Sequence, residues 1–197
     1  MVTDLVLALR SPVIMQRAQQ LGFSHVLCAG YYDGKSSLPP LDAVIIKTSS
    51  AEELRRTIDA VHSRGKKIIV EADSDEINRT ALESKKVWML LNPGKGRTES
   101  ILDFRNSGLN QVLCTLAAEK NILIGIAVPF IHQDRKQQAY DIAKIMQNIR
   151  LCRKYHAKLV FLSLAHDEKE LCSAYDIKSL ALSFGMTTEQ VQECFLQ

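Results

Sequence analysis

Apolar positions along this chain follow two rhythms that take turns. Near-continuous apolar runs occur at DLVLAL (4–9), HVLCAG (25–30), LDAVIIKT (41–48), KKIIVEA (66–72), VWMLLNP (87–93), SILDF (100–104), ILIGIAV (122–128) and KLVFLSLA (158–165). Runs without strict alternation are those of strands covered on both faces, as in a parallel sheet. Between them the apolar residues recur every three or four positions, which predicts amphipathic helices over 11–21, 51–64, 74–85, 109–120 and 135–155. The first opens on Ser11-Pro12, an N-cap followed by proline at the first helical position. The second stripes Leu54, Ile58 and Val61 and stops at Gly65; the fourth stripes Leu109, Val112, Leu113 and Leu116; the fifth stripes Ala139, Ile142, Met146 and Ile149. Past the last strand, Ile177, Leu180, Ala181 and Phe184 mark a helix that Gly185 ends, and Thr187 or Thr188 can cap another.

Strand and helix alternating this often implies βαβ crossovers. Eight strands close a (β/α) barrel, although 197 residues is below the about 250 usual for one. The expectation is an α/β fold, a small or irregular TIM-like barrel, with an open doubly wound sheet as second choice. Nothing splits the chain, so residues 1–197 form one domain in this reading. Ile45, Ile69, Leu90, Ile124 and Phe161 should be buried.

Composition narrows the class a little. At 46% hydrophobic and 24% charged the chain suits a globular domain, and a net charge of +3 permits a nucleic-acid partner without requiring one. Cys28, Cys114, Cys152, Cys172 and Cys194 lie far apart with no C-x-x-C pair, which reads as reduced thiols in a cytoplasmic protein. Asp4 and Arg10 break the opening apolar run, so no membrane partner is expected.

In a parallel α/β fold, chemistry gathers where strands end. Those positions hold Arg10, Tyr31-Tyr32-Asp33, Lys47, Glu71, Asp73, Asn92 to Arg97, Asp103, Arg105, His132 and His166-Asp167-Glu168. The first strand offers no histidine, His62 and His156 fall late in helices, and His25 begins a strand at the opposite end. Only His132 and His166 remain, with Asp73, Asp103 and Asp167 for company. No metal site or cofactor is therefore expected in the chain, and a stand-alone metal-dependent barrel phosphoesterase is the alternative function. NPGKGR (92–97) has glycines and cations suited to a phosphate, but not the spacing of a P-loop, and a solvated turn explains it equally well. Cys172 near His166 reads as incidental.

The basic residues form two groups. SRGKK (63–67), ESKK (83–86) and RLCRKYHAK (150–158) sit at helix C-termini, where cations complement the dipole; in a barrel they also form a positive ring. Arg10, Lys47, Lys95, Arg97, Arg105, Arg135 and Lys136 lie on the other rim without that reason. Scattered cations without aromatic stretches suit phosphate contacts on structured RNA better than base readout.

Three stretches carry a resemblance. KLVFLSLAHDEKELCSAYDIKSLALSFGMTTEQVQECF has a strand ending in Ser163 and Ala165, a polar loop, Asp176 opening a helix, and a stop at Gly185-Met186. FRNSGLNQVLCTLAAEKNILIGIAVPFI (104–131) has an arginine loop, an apolar helix, a Lys-Asn turn and a strand, and KQQAYDIAKIMQNIRLCRKYHAKLV leads a long helix into the last strand. Together they resemble the family of archaeal ribonuclease P protein component three, homologous to the eukaryotic thirty-kilodalton subunit. The resemblance implies a barrel like those of the PHP phosphoesterases without their metal site. It further implies an RNA-processing subunit that assists the catalytic RNA in removing 5′ leaders from precursor tRNA. Implied partners are ribonuclease P RNA, precursor tRNA in the holoenzyme, a small α/β protein subunit and other ribonuclease P proteins, with magnesium serving the RNA. The family's usual Leu-Arg-x-Pro is here Leu171-Cys172-Ser173-Ala174, and the acidic residue past the final strand is His166. Arg105 is thus the arginine that carries over. RNA or partner contact is expected from Arg105, Arg97, Lys95, Lys47, Arg10 and Arg135 and no catalytic residue from the chain. The acidic loop 166–173 is expected to be structural, with Arg10 near His166 and Asp167.

Overall fold

A computed structural model describes residues 2–37, 40–94, 100–101, 104–128 and 134–196; the side chains of 100–101, 104–105 and 136 fall outside that description. The elements follow the sequence rhythm: β1 (Thr3–Val6), α1 (Pro12–Gln20), β2 (His25–Tyr32), β3 (Ala43–Ile46), α2 (Ala51–His62), β4 (Lys67–Glu71), α3 (Asp75–Glu83) and β5 (Met89–Leu91). Then come β6 (Ser100–Ile101), β7 (Phe104–Arg105), α4 (Gln111–Lys120), β8 (Leu123–Ala127), α5 (Arg135–Lys154), β9 (Leu159–Leu162), α6 (Ala174–Ser183) and α7 (Thr188–Gln192). Ser11, Ser50, Ser74, Asn110, Asp134, Ser173 and Thr187 each accept a hydrogen bond from the N–H three residues on, so every helix start is written into the sequence. Thr187 completes a capping box with Gln190.

Seven parallel strands run in the order β1-β2-β3-β4-β5-β8-β9 and form a nearly closed barrel. The expected strand over 100–104 does not join them. Its ends form the separate antiparallel pair β6–β7, an arm lying between β5 and α4 in chain order. Ile45, Ile69, Leu90, Ile124 and Phe161 are all fully buried, as expected. Leu5, Ala29, Ile45, Ile69, Met89, Val160 and Leu162 fill the barrel interior. Gly125 on β8 belongs to this packing, because a Cβ there would lie 2.5 Å from Met89 Sδ. Val44, Ile46, Ile68, Val70, Ile124 and Phe161 instead pack outward with Leu54, Ile58 and Ile77. Val112 departs from the predicted stripe and is 55% exposed, since helix α4 turns Leu113, Cys114 and Ala117 to the core.

The barrel closes along a composite seam. Near the carboxyl ends, Leu164 N–H donates to Leu5 C=O and Leu7 N–H to Ala165 C=O, each at 2.9 Å. Lower down, the segment after α7 fills the gap: Phe161 N–H donates to Cys194 C=O at 2.8 Å and Thr3 N–H to Leu196 C=O at 3.3 Å. Phe195 packs edge-on against Phe23, with ring centroids 5.8 Å apart. Between the two halves sits Asp4, fully buried. Its Oδ1 accepts from Ser163 N–H at 2.9 Å and Leu5 N–H at 2.8 Å, and its Oδ2 accepts from the Ser163 hydroxyl. Desolvation outweighs those donors and lifts the Asp4 carboxyl to about 6.

Candidate nucleic-acid interface

The carboxyl mouth of the barrel gathers three side chains from consecutive strands. Tyr31 and Lys47, at the ends of β2 and β3, both reach Glu71 at the end of β4: the phenol donates to Glu71 Oε2 at 2.9 Å, and Lys47 Nζ lies 3.6 Å from the same oxygen. Glu71 is buried although it stands at an open rim. Burial, and then the Glu71 charge, push the Tyr31 phenol up to about 12, so it remains a donor. Lys47 is thereby tied to a carboxylate of the chain.

Arg10 is tied as well. Its Nη2 lies 3.0 and 3.2 Å from the two Asp42 oxygens, and Asp42 Oδ2 also accepts from Cys28 N–H at 2.9 Å. Arg10 was expected near His166 and Asp167; the partner of its guanidinium is Asp42. Strand stagger explains this: β1 ends at Val6 beside Cys28, where Asp42 leads into β3, so Arg10 turns toward β3 instead of β9. The loop after β9 satisfies itself. His166 N–H and Nδ1 meet Glu170 Oε2 at 2.8 and 2.9 Å, and Asp167 Oδ1 accepts from the N–H groups of Lys169 and Glu170. The His166 amide, followed by its ring, holds the Glu170 carboxyl below its ordinary range. The loop is held by its own residues.

The stretch read as a possible phosphate loop has another use at its start. Asn92, at φ 51°, accepts from Ala127 N–H through Oδ1 at 2.8 Å, and its own N–H donates to Gly125 C=O at 2.7 Å. Gly94 and Gly108 then pack backbone to backbone, with φ of 87° and 79°. A Cβ on Gly94 would lie 2.4 Å from Ser107 O, and one on Gly108 2.3 Å from Gly94 N. Buried amides fasten this clasp: Asn148 Nδ2 donates to Ser107 C=O at 2.9 Å, and Asn78 Nδ2 to Gly108 C=O at 3.1 Å. Lys144 Nζ donates to Gly94 C=O at 3.0 Å. Gly94 and the segment Ser107–Gly108, which flank the β6–β7 arm in sequence, are thus fastened to each other and to α3 and α5.

Of the six expected contact residues, Lys95 and Arg97 lie outside the described residues, as do His132 and Asp103, and Arg105 is placed on β7 by its backbone alone. Arg135 is exposed in the first turn of α5, a cation at a helix N-terminus that no dipole explains. Among the described residues, no group of three or more His, Cys, Asp or Glu side chains stands close enough to hold a metal ion. No helix among them is long and apolar enough to cross a membrane. Sequence reasoning missed the Asp4 latch and the Gly94–Gly108 clasp. An acidic residue inside an apolar strand run, and two glycines flanking the arm, were the available signals.

Comparison with known proteins places this geometry. The family model described as RNase P subunit p30 matches residues 12–197. Ribonuclease P protein component 3 of Methanosarcina mazei is 28% identical over 177 residues, covering 82% of this chain and 66% of that protein. Its counterpart in Methanosarcina acetivorans is 33% identical over 127 residues, 64% of this chain and 50% of the relative. The chain thus spans about half to two thirds of these relatives. Among solved structures, a chain of "cryo-EM structure of archaeal Ribonuclease P with mature tRNA" superposes with a TM-score of 0.80 at 20% identity, covering 98% of this chain and 87% of that one. A Xaa-Pro dipeptidase matches with a TM-score of 0.62 at 11% identity over 98% of this chain and 72% of its own, a likeness of fold.

Proposed function

This chain belongs to the family described as RNase P subunit p30, and from that premise we propose that it is a protein subunit of ribonuclease P. In this role it assists the catalytic RNA in removing 5′ leaders from precursor tRNA, by binding RNA and supporting its structure. The family match across residues 12–197 is the observation that carries the reading. The barrel supports it physically. Its rims present cations on a frame whose mouth is filled by its own Tyr31–Glu71–Lys47 contacts, so the chain offers charge and shape to a partner. Cations fixed on a rigid frame lower the repulsion between RNA strands brought together, and little ordering is left to be done on binding. Cleavage chemistry then belongs to the RNA and its magnesium ions, and a small α/β ribonuclease P protein and further subunits complete the particle. The isolated chain is not catalytic in this reading.

The test is reconstitution of precursor-tRNA cleavage at limiting magnesium with ribonuclease P RNA and the other protein subunits, with and without this chain. The expected result is a rise of at least tenfold in cleavage rate on adding it, and none from the chain alone. Cleavage by the chain alone, with no effect on the RNA, would replace the subunit by a free-standing phosphoesterase.

A further inference from the structure

The amino-terminal rim of the barrel holds cations that have no carboxylate partner among the described residues. β4, β5, β8 and β9 are consecutive neighbours in the barrel. The turns entering β4, β5 and β9 carry Arg64, Lys67, Lys85, Lys154 and Lys158, all exposed. Among the described residues none of these five forms an ion pair, whereas Lys86 on the same rim pairs with Asp59 at 2.8 Å, and Lys66 and Lys120 donate to the Leu41 and Glu83 carbonyls. Of the five, only Lys154 lies in the last turn of a helix; Lys67 and Lys158 begin or precede strands, where no helix dipole calls for a cation. The Lys67 ammonium stands 4.2 Å from the centroid of the Trp88 ring, which fixes a long side chain in place before any partner arrives. On the carboxyl rim, by contrast, Arg10 and Lys47 are paired with Asp42 and Glu71.

We propose that the amino-terminal rim, through Lys67 and Lys158 with Arg64 and Lys85, is the surface that holds the phosphate backbone of a structured RNA. It rests on the ribonuclease P reading above and moves the main RNA contact to the opposite rim from the one the strand ends suggested. RNA fits better than an acidic protein face. The cations come from three separate turns along one side of a rigid barrel, and none of the large exposed apolar side chains, such as Val13, Tyr140 or Tyr175, belongs to those turns. A protein interface of useful affinity would need such anchors at its centre, whereas a phosphate backbone needs only spaced positive charge.

The experiment measures binding of the full chain to transcribed ribonuclease P RNA over a range of salt. Three forms are compared: unmodified, Lys67→Glu with Lys158→Glu, and Lys35→Glu with Lys169→Glu, two exposed lysines in the loops past β2 and β9, as a charge-matched change on the other rim. Each phosphate contact contributes roughly one unit to the log–log salt slope. The amino-rim pair should therefore lose about two units of slope and about tenfold or more in affinity, and the carboxyl-rim pair should stay within about twofold. Lys67→Gln with Lys158→Gln, checked for an unchanged thermal midpoint, should show the same slope loss and so separates charge from misfolding. An unchanged slope in the amino-rim forms overturns the assignment, as does loss of assembly with the protein subunits while RNA binding stays normal. If the unmodified chain stimulates cleavage while the amino-rim forms keep a normal slope, only the surface is refuted. If the unmodified chain fails to stimulate cleavage, the subunit reading falls and the surface with it.

Discussion

A carboxyl group lifted to about 6 by burial makes Asp4 the most pH-sensitive residue of the barrel seam. Its folded pKa lies above the unfolded value of 3.8, so folding favours the protonated form. The contribution is therefore fullest below about pH 4 and is lost as pH rises through 6, by about 3 kcal/mol for a shift of this size. Asp4→Asn keeps an acceptor for the Leu5 and Ser163 amides and offers an N–H to the Ser163 oxygen, without a charge to desolvate. Urea unfolding at pH 5 and pH 7.5 should show the unmodified chain losing stability at the higher pH relative to Asp4→Asn. Equal pH dependence in both would remove Asp4 from the account. Asp4→Ala leaves three buried donors without an acceptor and should cost about 3 kcal/mol or more at either pH. None of this could be read from the sequence beyond an acidic residue in an apolar run, because its partner Ser163 lies 159 positions away.

At the scale of elements, the Gly94–Gly108 clasp makes the sharpest demand on residue type. Gly94→Ala would place a methyl group against the Ser107 carbonyl at a φ that alanine adopts only with strain, and Gly108→Ala would do the same against Gly94. Each should cost roughly 2–4 kcal/mol, read as a lower denaturation midpoint, whereas Gly65→Ala, with open space around it, should cost only its backbone strain of about 1 kcal/mol. Equal losses at Gly65 and Gly94 would mean that backbone contact contributes nothing. The helices and seven barrel strands were legible because each signal is local: a serine, threonine, asparagine or aspartate cap, a stripe, a glycine stop. The stretch SILDF misled because five residues of strand-like composition do not state what they pair with. Ser100 and Ile101 pair with Arg105 and Phe104, and the Gly94–Gly108 clasp is held by Asn78 and Asn148 from distant helices. Arg10 misled for a related reason, since strand stagger, which sends it to Asp42, leaves no trace in apolar patterning.

The whole molecule depends on residues 194–196 to complete the lower seam. Deleting 194–197 would strip the acceptors from Phe161 and Thr3 and remove the buried Cys194, Phe195 and Leu196 side chains. Burial of one such aromatic and one aliphatic side chain alone is worth about 5 kcal/mol, close to the stability of many whole domains. Limited proteolysis should therefore cut the shortened chain throughout, and survival of an intact, cooperatively melting core would show that the tail is dispensable. Barrel class was legible from the alternation of elements, but closure by seven strands and a tail was not, because it depends on which edges are left once β1 and β9 meet. That geometry bears on how the protein is made. Throughout synthesis, β1 pairs with β2 on one side and waits on the other for a strand that emerges about 150 residues later. During that wait it is an unpaired edge, the kind of surface on which nascent chains stick to one another. Asp4 stands in the middle of that edge, and a carboxylate there repels a stray strand until Ser163 arrives to receive it. The same side chain that taxes the finished barrel at neutral pH thus guards the unfinished one on the ribosome.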